Sequence, residues 1–304
     1  MQSIPTGYKT TTSGLLIPVH VEEKAMHLDI SRLTAYLNHL RMAGKATATI
    51  EKYSHAIEQF LLYLGEKALT VLRVREWATE QMEIRAVTTV NNAIAALNGF
   101  FRWMGRADCV LSFFRVQEEQ YRPEEKSLTL PEYQRMVDVA DERIKMILQT
   151  FYATGIRVSE LRFFTLEAVQ AGQVKVNNKG KIRTVFIPPE TQKSLLAYAK
   201  QAGIESGVLF RNRAGAALSR SFIWREMKRV ARAAGIAESK VFPHNLRHLF
   251  AIERYKEDHD IEGLRLDMGH SQLATTQRYL KETLRERLER LKKRWGKQPG
   301  RGLG

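Results

Sequence analysis

The sequence predicts a mainly α-helical protein with two domains: a bundle of four helices, then a mixed α/β domain that is mostly α with a small antiparallel sheet. Three observations lead to this prediction. Apolar residues recur at helical spacing through most of the 304 residues. A charged stretch without periodicity, FRVQEEQYRPEEKS, divides the chain at residues 114–127. A single stretch, QVKVNNKGKIRTVFIPP, alternates around a glycine-containing turn, as a hairpin does.

The first domain is predicted to span residues 26–113, after an irregular arm at residues 1–25 with a short apolar segment. Gly44 and Gly65 are predicted to end its first two helices. The four helical stretches read LDISRLTAYLNHLRMAG, TATIEKYSHAIEQFLLYLG, VREWATEQM and VTTVNNAIAALNGFFRWMG. Four amphipathic helices in about 80 residues indicate a small bundle.

The second domain is predicted to span residues 128–304 and to open with a capping box. Thr129 is the N-cap, Glu132 completes the box three residues later, and Pro131 suits the first helical turn. The following apolar helix is predicted to end at Gly155, before the hairpin. Later helices are predicted at about 190–202 and 220–234, and in HNLRHLFAIERYKE and LATTQRYLKETLRERLERLKKRW.

Composition excludes several classes of protein. No apolar run approaches the length of a membrane span, and the N-terminal residues lack the basic region and apolar core of a signal peptide. The single cysteine, Cys109, excludes an internal disulfide and a cysteine-rich metal site. We therefore expect a cytoplasmic protein that does not associate with a membrane.

The charge of the chain is strongly positive and unevenly distributed. The net charge is +15, from 48 basic and 33 acidic side chains. Residues 1–112 carry a net +2, whereas residues 127–304 carry 33 basic and 19 acidic side chains, a net +14. Such an excess predicts a polyanionic partner, most often nucleic acid, although a basic but otherwise ordinary enzyme would have the same composition.

Two motifs could place cationic side chains at a site. In ATGIRVSEL, Arg157 follows the turn at Gly155 and could point into a cleft; alternatively it is a surface arginine paired with Glu160. In PHNLRHLFA, His244 and Arg247 share a helix face, where they would repel each other unless they jointly bind an anion such as phosphate. The alternative is a helix N-terminus with a capping histidine.

A third motif, MGHSQLATTQRYL, contains His270 and Tyr279 nine residues apart. On one unbroken helix the two would lie on opposite faces. Gly269 can end the preceding helix, and Ser271 is a suitable N-cap for a new helix near Gln272, so both side chains could face one cleft. The alternative is a tyrosine in the core or at its rim.

Together with the lysines of the hairpin turn, these motifs suggest phosphoryl transfer. The turn NNKGKIR offers Lys179, Lys181 and Arg183, although on its own it reads as an ordinary solvated turn. Oxyanion-binding groups beside one hydroxyl nucleophile fit covalent catalysis without a metal or other cofactor. The sequence has no Walker-type loop and no HExxH, which disfavours a metal-dependent site of those kinds. The candidate catalytic residues are Arg157, Lys179, His244, Arg247, His270 and Tyr279.

These motifs, in this order, resemble those of the tyrosine recombinase family, also called phage integrases, and most closely its compact Xer-like members. The resemblance covers about residues 28–290 and rests on ATGIRVSEL, NNKGKIRTVFIP, HNLRHLFA and MGHSQLATTQRYL. It implies that residues 26–113 are a SAM-like core-binding domain that contacts DNA. Residues 128–304 would then be the catalytic domain, with a C-terminal helix and basic tail.

The resemblance also implies a role for each candidate residue. Tyr279 would attack the scissile phosphate and form a 3′-phosphotyrosyl link, while Arg157 and Arg247 hold the non-bridging oxygens. His244 and His270 would complete the pocket, stabilising the transition state or moving the tyrosine proton.

The resemblance leaves the identity of the general acid open. Lys179 would protonate the departing 5′ oxygen, but the hairpin is shorter than is usual in the family, so Lys181 is a rival general acid. Glu160 would support Arg157, and His248 is not expected to be a catalyst.

The implied partners are double-stranded DNA with a specific core site and three further copies of the chain. The family exchanges strands through a Holliday junction in a tetramer, without metal or ATP. The C-terminal helix, with Leu284, Leu288 and Leu291 on one side, would dock on the neighbouring protomer, or alternatively on its own domain. Other functions that fit the sequence are strand religation by a type IB topoisomerase and a non-catalytic DNA-binding accessory role.

Overall fold

The structure of the chain is a computed structural model, and it describes residues 8–10, 16–18, 26–117, 121, 123–178 and 181–295. Two compact units are present, Met1–Glu118 and Glu119–Gly304. Both are built mainly of helices, as the sequence predicts, and each contains one two-stranded antiparallel sheet among its described residues. Within the described ranges no helix is both long and apolar enough to cross a membrane.

The first unit contains the four predicted helices and one hairpin that the sequence does not predict. Strands β1 (Tyr8–Thr10) and β2 (Leu16–Pro18) pair antiparallel, where an irregular arm is expected. Three residues per strand are too few to show a convincing alternation, which explains the error. The helices are α1 (Ile30–Met42), α2 (Thr47–Leu64), α3 (Val71–Ile84) and α4 (Val87–Trp103).

The core of this unit is aromatic, and the chain that leaves it is bound along α4. Phe60 lies edge-on to Trp77, with 5.5 Å between ring centroids, and both are almost fully buried. The buried Asn98 amide donates to the carbonyl of Leu111 at 2.8 Å and accepts from its N–H at 2.9 Å. These paired bonds satisfy the buried amide and fix the segment that follows α4.

The second unit carries the predicted hairpin among nine helices counted over the described residues. Strands β3 (Gln173–Asn178) and β4 (Lys181–Phe186) pair from Gln173↔Phe186 to Asn178↔Lys181. The helices are α5 (Leu130–Val139), α6 (Glu142–Thr154), α7 (Leu166–Gln170), α8 (Pro189–Gln201), α9 (Arg220–Ala233), α10 (Pro243–Asp258), α11 (Ile261–Met268), α12 (Leu273–Gln277) and α13 (Leu284–Trp295).

Helix α5 begins as the sequence predicts. The Thr129 hydroxyl accepts from the N–H of Glu132, the Glu132 carboxylate accepts from the N–H of Thr129 at 2.9 Å, and Pro131 lies in the first turn. This reciprocal box satisfies two amide groups that the helix itself leaves without partners.

Helices α6 and α10 approach each other closely at the end of α6. Gly155 ends α6 with φ +57°, and a Cβ at this position would lie 2.2 Å from Cδ1 of Phe250 on α10. Both facts require glycine: the left-handed backbone is unfavourable for other residues, and the aromatic ring occupies the space. Arg157 follows two residues later, so this contact fixes the position of the backbone from which the Arg157 side chain extends.

The last predicted helix is interrupted, which corrects the sequence-based reading of residues 273–295. Helix α12 gives way to a 3₁₀ turn, Arg278–Leu280, and α13 begins only at Leu284. Thr283 and Glu286 form a second capping box: the N–H of Thr283 donates to the Glu286 carboxylate at 2.8 Å, and the N–H of Glu286 donates to the Thr283 hydroxyl at 3.1 Å. This box starts a new helix.

The entrance to α12 also differs in detail from the prediction. Gly269 ends α11 in the left-handed conformation, as predicted, but Gln272 and not Ser271 is the N-cap of α12. The Gln272 side chain makes no capping hydrogen bond. The break between His270 and Tyr279 is therefore supplied by the glycine, and the two side chains are separated by a bend and two short helical turns.

Candidate active site

Tyr279 lies at the centre of the predicted cluster. Its ring is buried, and its hydroxyl is 3.4 Å from Nδ1 of His244. The ring centroid of His270 is 5.2 Å from that of Tyr279, and the guanidinium carbon of Arg247 is 5.9 Å from the Tyr279 ring centroid. Arg157 lines the same cleft, of about 470 Å³. Five of the six candidate residues therefore converge, whereas Lys179 lies outside the described residues, as does the side chain of its rival Lys181.

Arg247 is almost completely buried, with 1% of its surface exposed, and its two terminal guanidinium nitrogens hold the pocket together, whereas its buried Nε has no hydrogen-bond partner in the described part of the structure. The terminal nitrogens donate to the carbonyls of Gly155 and Met268, and one of them lies 3.0 Å from Nε2 of His270. Burial and the charge of Arg157 lower the pKa of Arg247 to about 10. The side chain is therefore still cationic at neutral pH, and a cation held in a low-dielectric pocket binds an oxyanion strongly.

His270 is held as a neutral ring of defined tautomer. A guanidinium can only donate, so Nε2 of His270 accepts from Arg247, and the proton is on Nδ1, which donates to the Thr276 hydroxyl at 3.0 Å. Burial and the charges of nearby arginines, Arg247 first among them, lower the pKa of His270 to about 4. Its neutral form avoids a further positive charge beside Arg247.

His244 lies within reach of the Tyr279 hydroxyl. The protein that surrounds its ring and the charges of Arg247 and Arg157 lower its pKa, although part of the side chain faces solvent. A neutral imidazole at this position can accept the phenolic proton when Tyr279 acts as a nucleophile. The separation of 3.4 Å is long for a hydrogen bond, so this transfer requires a small approach of the two groups.

Glu160 connects Arg157 to the hairpin. Its buried carboxylate accepts from the main-chain N–H of Arg157 at 2.8 Å and from the Arg157 guanidinium at 3.1 Å. It also accepts two hydrogen bonds from Arg183. Burial alone would raise the pKa of Glu160, but the bonds from Arg183 and Arg157 outweigh it and hold the pKa below its usual value. The ion pair of the alternative interpretation is therefore present, and Arg157 is 34% exposed, but the carboxylate that it uses is only 1% exposed.

Several residues contact the cleft in ways that the sequence does not predict. The ring of His248 stacks on that of Tyr279, with centroids 4.3 Å apart, and its position one turn after His244 was the available signal. Thr276, which orients His270, is fully buried one turn before Tyr279. Arg220 and Trp224 of α9 also line the cleft, and no motif in the sequence pointed to them.

The described part of the chain contains no group of three or more His, Cys, Asp or Glu side chains that could hold a metal ion. The charged groups of the cleft are instead guanidinium groups. The guanidinium groups can bind a phosphate. The imidazole of His244 can accept the phenolic proton of Tyr279, whose oxygen can then act as a nucleophile.

Comparison with known proteins identifies the family. The model of the phage integrase family matches residues 126–286, more than half of the chain, and that of the phage integrase N-terminal SAM-like domain matches residues 33–108. The chain belongs to the phage integrase family of tyrosine recombinases. It is an enzyme of the site-specific recombinase class, and the family resemblance and function predicted from its motifs are confirmed.

Relatives of this recombinase match over most of its length. The tyrosine recombinase XerD of Pseudomonas aeruginosa is 31% identical over 78% of the chain and 87% of its own length. The tyrosine recombinase XerA of Pyrococcus furiosus is 29% identical over 89% of the chain and 96% of its own length.

Solved structures share the fold at lower identity. A lambda integrase fragment bound as a dimer to a core site covers 86% of the chain and 97% of the fragment, with a TM-score of 0.70 and 16% identity. The XerH site-specific recombinase bound to its difH substrate covers 88% of the chain and 85% of its own, with a TM-score of 0.63 and 20% identity. The helical fold with a small antiparallel sheet is therefore that of the family.

Proposed function

We propose that this recombinase cuts DNA by direct attack of the Tyr279 hydroxyl on a scissile phosphate. A bond forms between the phenolic oxygen and phosphorus, and the bond from phosphorus to the 5′ oxygen breaks. The product is a 3′-phosphotyrosyl link and a free 5′-hydroxyl. The phosphotyrosyl retains the energy of the phosphodiester, so a 5′-hydroxyl of a partner strand can reverse the reaction and rejoin the DNA without ATP.

The observation that carries this proposal is the convergence of side chains around Tyr279. Arg157 and Arg247 would bind the non-bridging oxygens, because both line the cleft that Tyr279 closes. His244 would take the phenolic proton, and His270 would complete the oxyanion pocket. Each of these roles places a charge or a proton acceptor where the transition state needs one.

Lys179 is proposed as the general acid that protonates the 5′ oxygen, with Lys181 as the rival. In the sequence Lys179 follows the last residue of β3, and Lys181 is the first residue of β4. A 5′-phosphorothiolate leaves without protonation, so it should restore cleavage by Lys179→Ala but change little for Lys181→Ala. Selective restoration of Lys181→Ala would transfer the role to Lys181.

Strand exchange would take place in a tetramer on double-stranded DNA, through a Holliday junction. A solved lambda integrase tetramer is bound to a Holliday junction, and it covers 84% of this chain with a TM-score of 0.69. Residues 26–113 would form the core-binding domain, residues 114–127 the linker and residues 128–304 the catalytic domain. Because the proposed substrate is DNA, we place the protein in the cytoplasm at the nucleoid.

The C-terminal helix is proposed to join neighbouring protomers. Helix α13 has no buried residue, and Leu284 and Leu288 are 62% and 46% exposed. An amphipathic helix gains free energy only when its apolar side is covered, and a neighbouring protomer of the tetramer would cover it.

Trapping of a covalent complex tests the proposal. A nicked suicide duplex, built on the site that footprinting locates in DNA flanking the gene, should give a protein–DNA adduct that survives denaturation. Tyr279→Phe should give none, and equal trapping by this variant would refute the assignment. Relaxation of supercoiled plasmid that lacks the site would favour the topoisomerase reaction instead.

A further inference from the structure

Arg183, in the middle of strand β4, contacts two of the motifs that form the cleft. Its Nη1 donates to Oε1 of Glu160 at 2.8 Å, and its Nη2 donates to Oε2 of Glu160 at 3.1 Å. Its Nε donates to the carbonyl of Asp267 at 3.3 Å, three residues before His270. One guanidinium therefore joins the hairpin to the partner of Arg157 and to the segment that leads into His270.

The backbone at Gly269 lies directly against the Arg183 side chain. A Cβ at Gly269 would be 2.4 Å from Cδ and 2.8 Å from Nε of Arg183. Gly269 also has φ +62°, so glycine is favoured here both by the backbone and by this contact. The position of the Arg183 side chain and the course of the chain into His270 are thus fixed together.

The charges of this cluster do not balance. Arg157 and Arg183 bring two positive charges to the single negative charge of Glu160, whose two oxygens each receive bonds from both residues. Without Arg183, the carboxylate would be free to form a bidentate pair with Arg157, because that is the preferred geometry of a guanidinium and a carboxylate. In such a pair the carboxylate would compensate the positive charge of Arg157, and the donors of Arg157 would turn away from the cleft.

We propose that Arg183 is a positioning residue of the recombination reaction: by engaging both oxygens of Glu160, it leaves the Arg157 guanidinium less tightly paired and available to the scissile phosphate. This inference rests on the proposed function, in which Arg157 binds a non-bridging oxygen. Arg183 is 15% exposed and is turned toward Glu160, so it acts through Arg157 and does not itself touch the DNA.

A change of the phosphate charge distinguishes this role from a purely structural one. A methylphosphonate at the scissile position replaces one non-bridging oxygen and removes the negative charge that Arg157 would bind. On a suicide duplex, we expect Arg183→Gln to cut the normal phosphodiester about 10- to 100-fold more slowly than the wild type. This loss is smaller than the roughly 100- to 1000-fold loss that follows removal of a side chain in direct contact with the oxyanion. On the methylphosphonate duplex, its rate should lie within about threefold of the wild type.

Four further arms make the experiment decisive. Arg157→Ala should show the same relief on methylphosphonate, and Arg232→Gln, which removes an exposed partner of Glu238, should match the wild type on both duplexes. Arg183→Lys keeps the charge but cannot donate to both oxygens of Glu160 in parallel, so its cleavage rate should lie between those of Arg183→Gln and the wild type. It serves in place of Arg183→Gln if the Gln variant does not fold. A 5′-phosphorothiolate duplex should not relieve Arg183→Gln, because its leaving group bypasses only the general acid.

The outcomes separate the inference from the function on which it rests. Relief of Arg157→Ala without relief of Arg183→Gln overturns the inference alone and assigns Arg183 a structural role. Relief of Arg183→Gln by the phosphorothiolate also overturns it, because Arg183 would then act through the general acid. If Arg157→Ala gains nothing from methylphosphonate, the role of Arg157 in the proposed function is wrong, and the inference falls with it.

Discussion

Arg247 and His270 are both buried and share one hydrogen bond, which sets the protonation state of each. The guanidinium can only donate, so the imidazole must accept and remain neutral. Burial and neighbouring charge lower the pKa of both groups, from 12.5 to about 10 for Arg247 and from 6.5 to about 4 for His270. The pocket therefore has a fixed cation beside a neutral ring at neutral pH.

Acid should destabilise the second unit through His270. The fold stabilises the neutral ring, so between pH 6.5 and about 4 the unfolded chain takes up a proton that the folded chain does not. This contribution is complete above pH 6.5 and is lost as the pH falls, by about 3 kcal/mol at pH 4, at roughly 1.4 kcal/mol per pH unit. Denaturant unfolding of His270→Gln should therefore depend less on pH in this window than that of the wild type. An unchanged dependence would contradict the buried neutral ring; His55→Gln, at an exposed position, is the control.

Thr276 should contribute more to stability and to the cleavage rate than a buried threonine usually does, because its hydroxyl accepts a hydrogen bond from Nδ1 of His270. Thr276→Val has nearly the same shape but leaves that N–H without an acceptor, at a cost of about 1–3 kcal/mol. We expect a comparable loss of unfolding free energy and a fall in the cleavage rate of roughly tenfold or more. Thr276→Ser restores the hydroxyl and should recover most of the rate; equal rates for the two variants would show that the hydroxyl has no role in orienting the ring.

The convergence of five of the six candidate residues could be predicted from the sequence because the motifs place charged groups in combinations that are unfavourable without a ligand. The partners that hold them could not. Thr276 and Arg183 act through tertiary contacts across 6 and 23 residues, and no local pattern distinguishes them from ordinary residues of a helix and a strand. His248 was seen in its motif, but its stacking on Tyr279 depends on how α10 packs.

Among the secondary-structure elements, the contact between α6 and α10 fixes the backbone position of Arg157. We expect Gly155→Ala to destabilise the second unit by more than about 2 kcal/mol, because it combines left-handed backbone strain with a collision against Phe250. Gly235 has a similar φ of +66° but open space at its Cβ, so Gly235→Ala should show only the strain, about 1 kcal/mol. Denaturant unfolding measures both. Equal losses would show that the Phe250 contact contributes nothing.

The elements that the sequence predicted correctly have local signals, and those it missed have weak or competing ones. The Thr129–Glu132 box and Gly155 mark their helix ends by local chemistry, the first through two side chains and the second through its backbone conformation. The Thr283–Glu286 box was also present in the sequence, but helical spacing across residues 273–295 concealed it. Strands β1 and β2 are too short for their periodicity to be recognised.

For the whole molecule, assembly on DNA should depend on the apolar side of α13. Leu288→Glu should leave the unfolding free energy of the free chain within about 0.5 kcal/mol of the wild type, because the side chain is 46% exposed and not part of a core. It should nevertheless reduce the tetrameric complex on DNA by about tenfold or more in sedimentation experiments, since a charge would be buried at the interface. Lys293→Gln loses one positive charge on the opposite side of α13 and is the control. Normal tetramers with Leu288→Glu would exclude docking through this side.

Mapping the covalent link to a single residue tests whether Tyr279 is the nucleophile. Wild-type protein trapped on the suicide duplex is digested with nuclease and protease, and the nucleotide-bearing peptide is sequenced by mass spectrometry. We expect one modified peptide, with the 3′-phosphate on Tyr279. A nucleotide attached to any other side chain, or no adduct while strands are still cut, would contradict it.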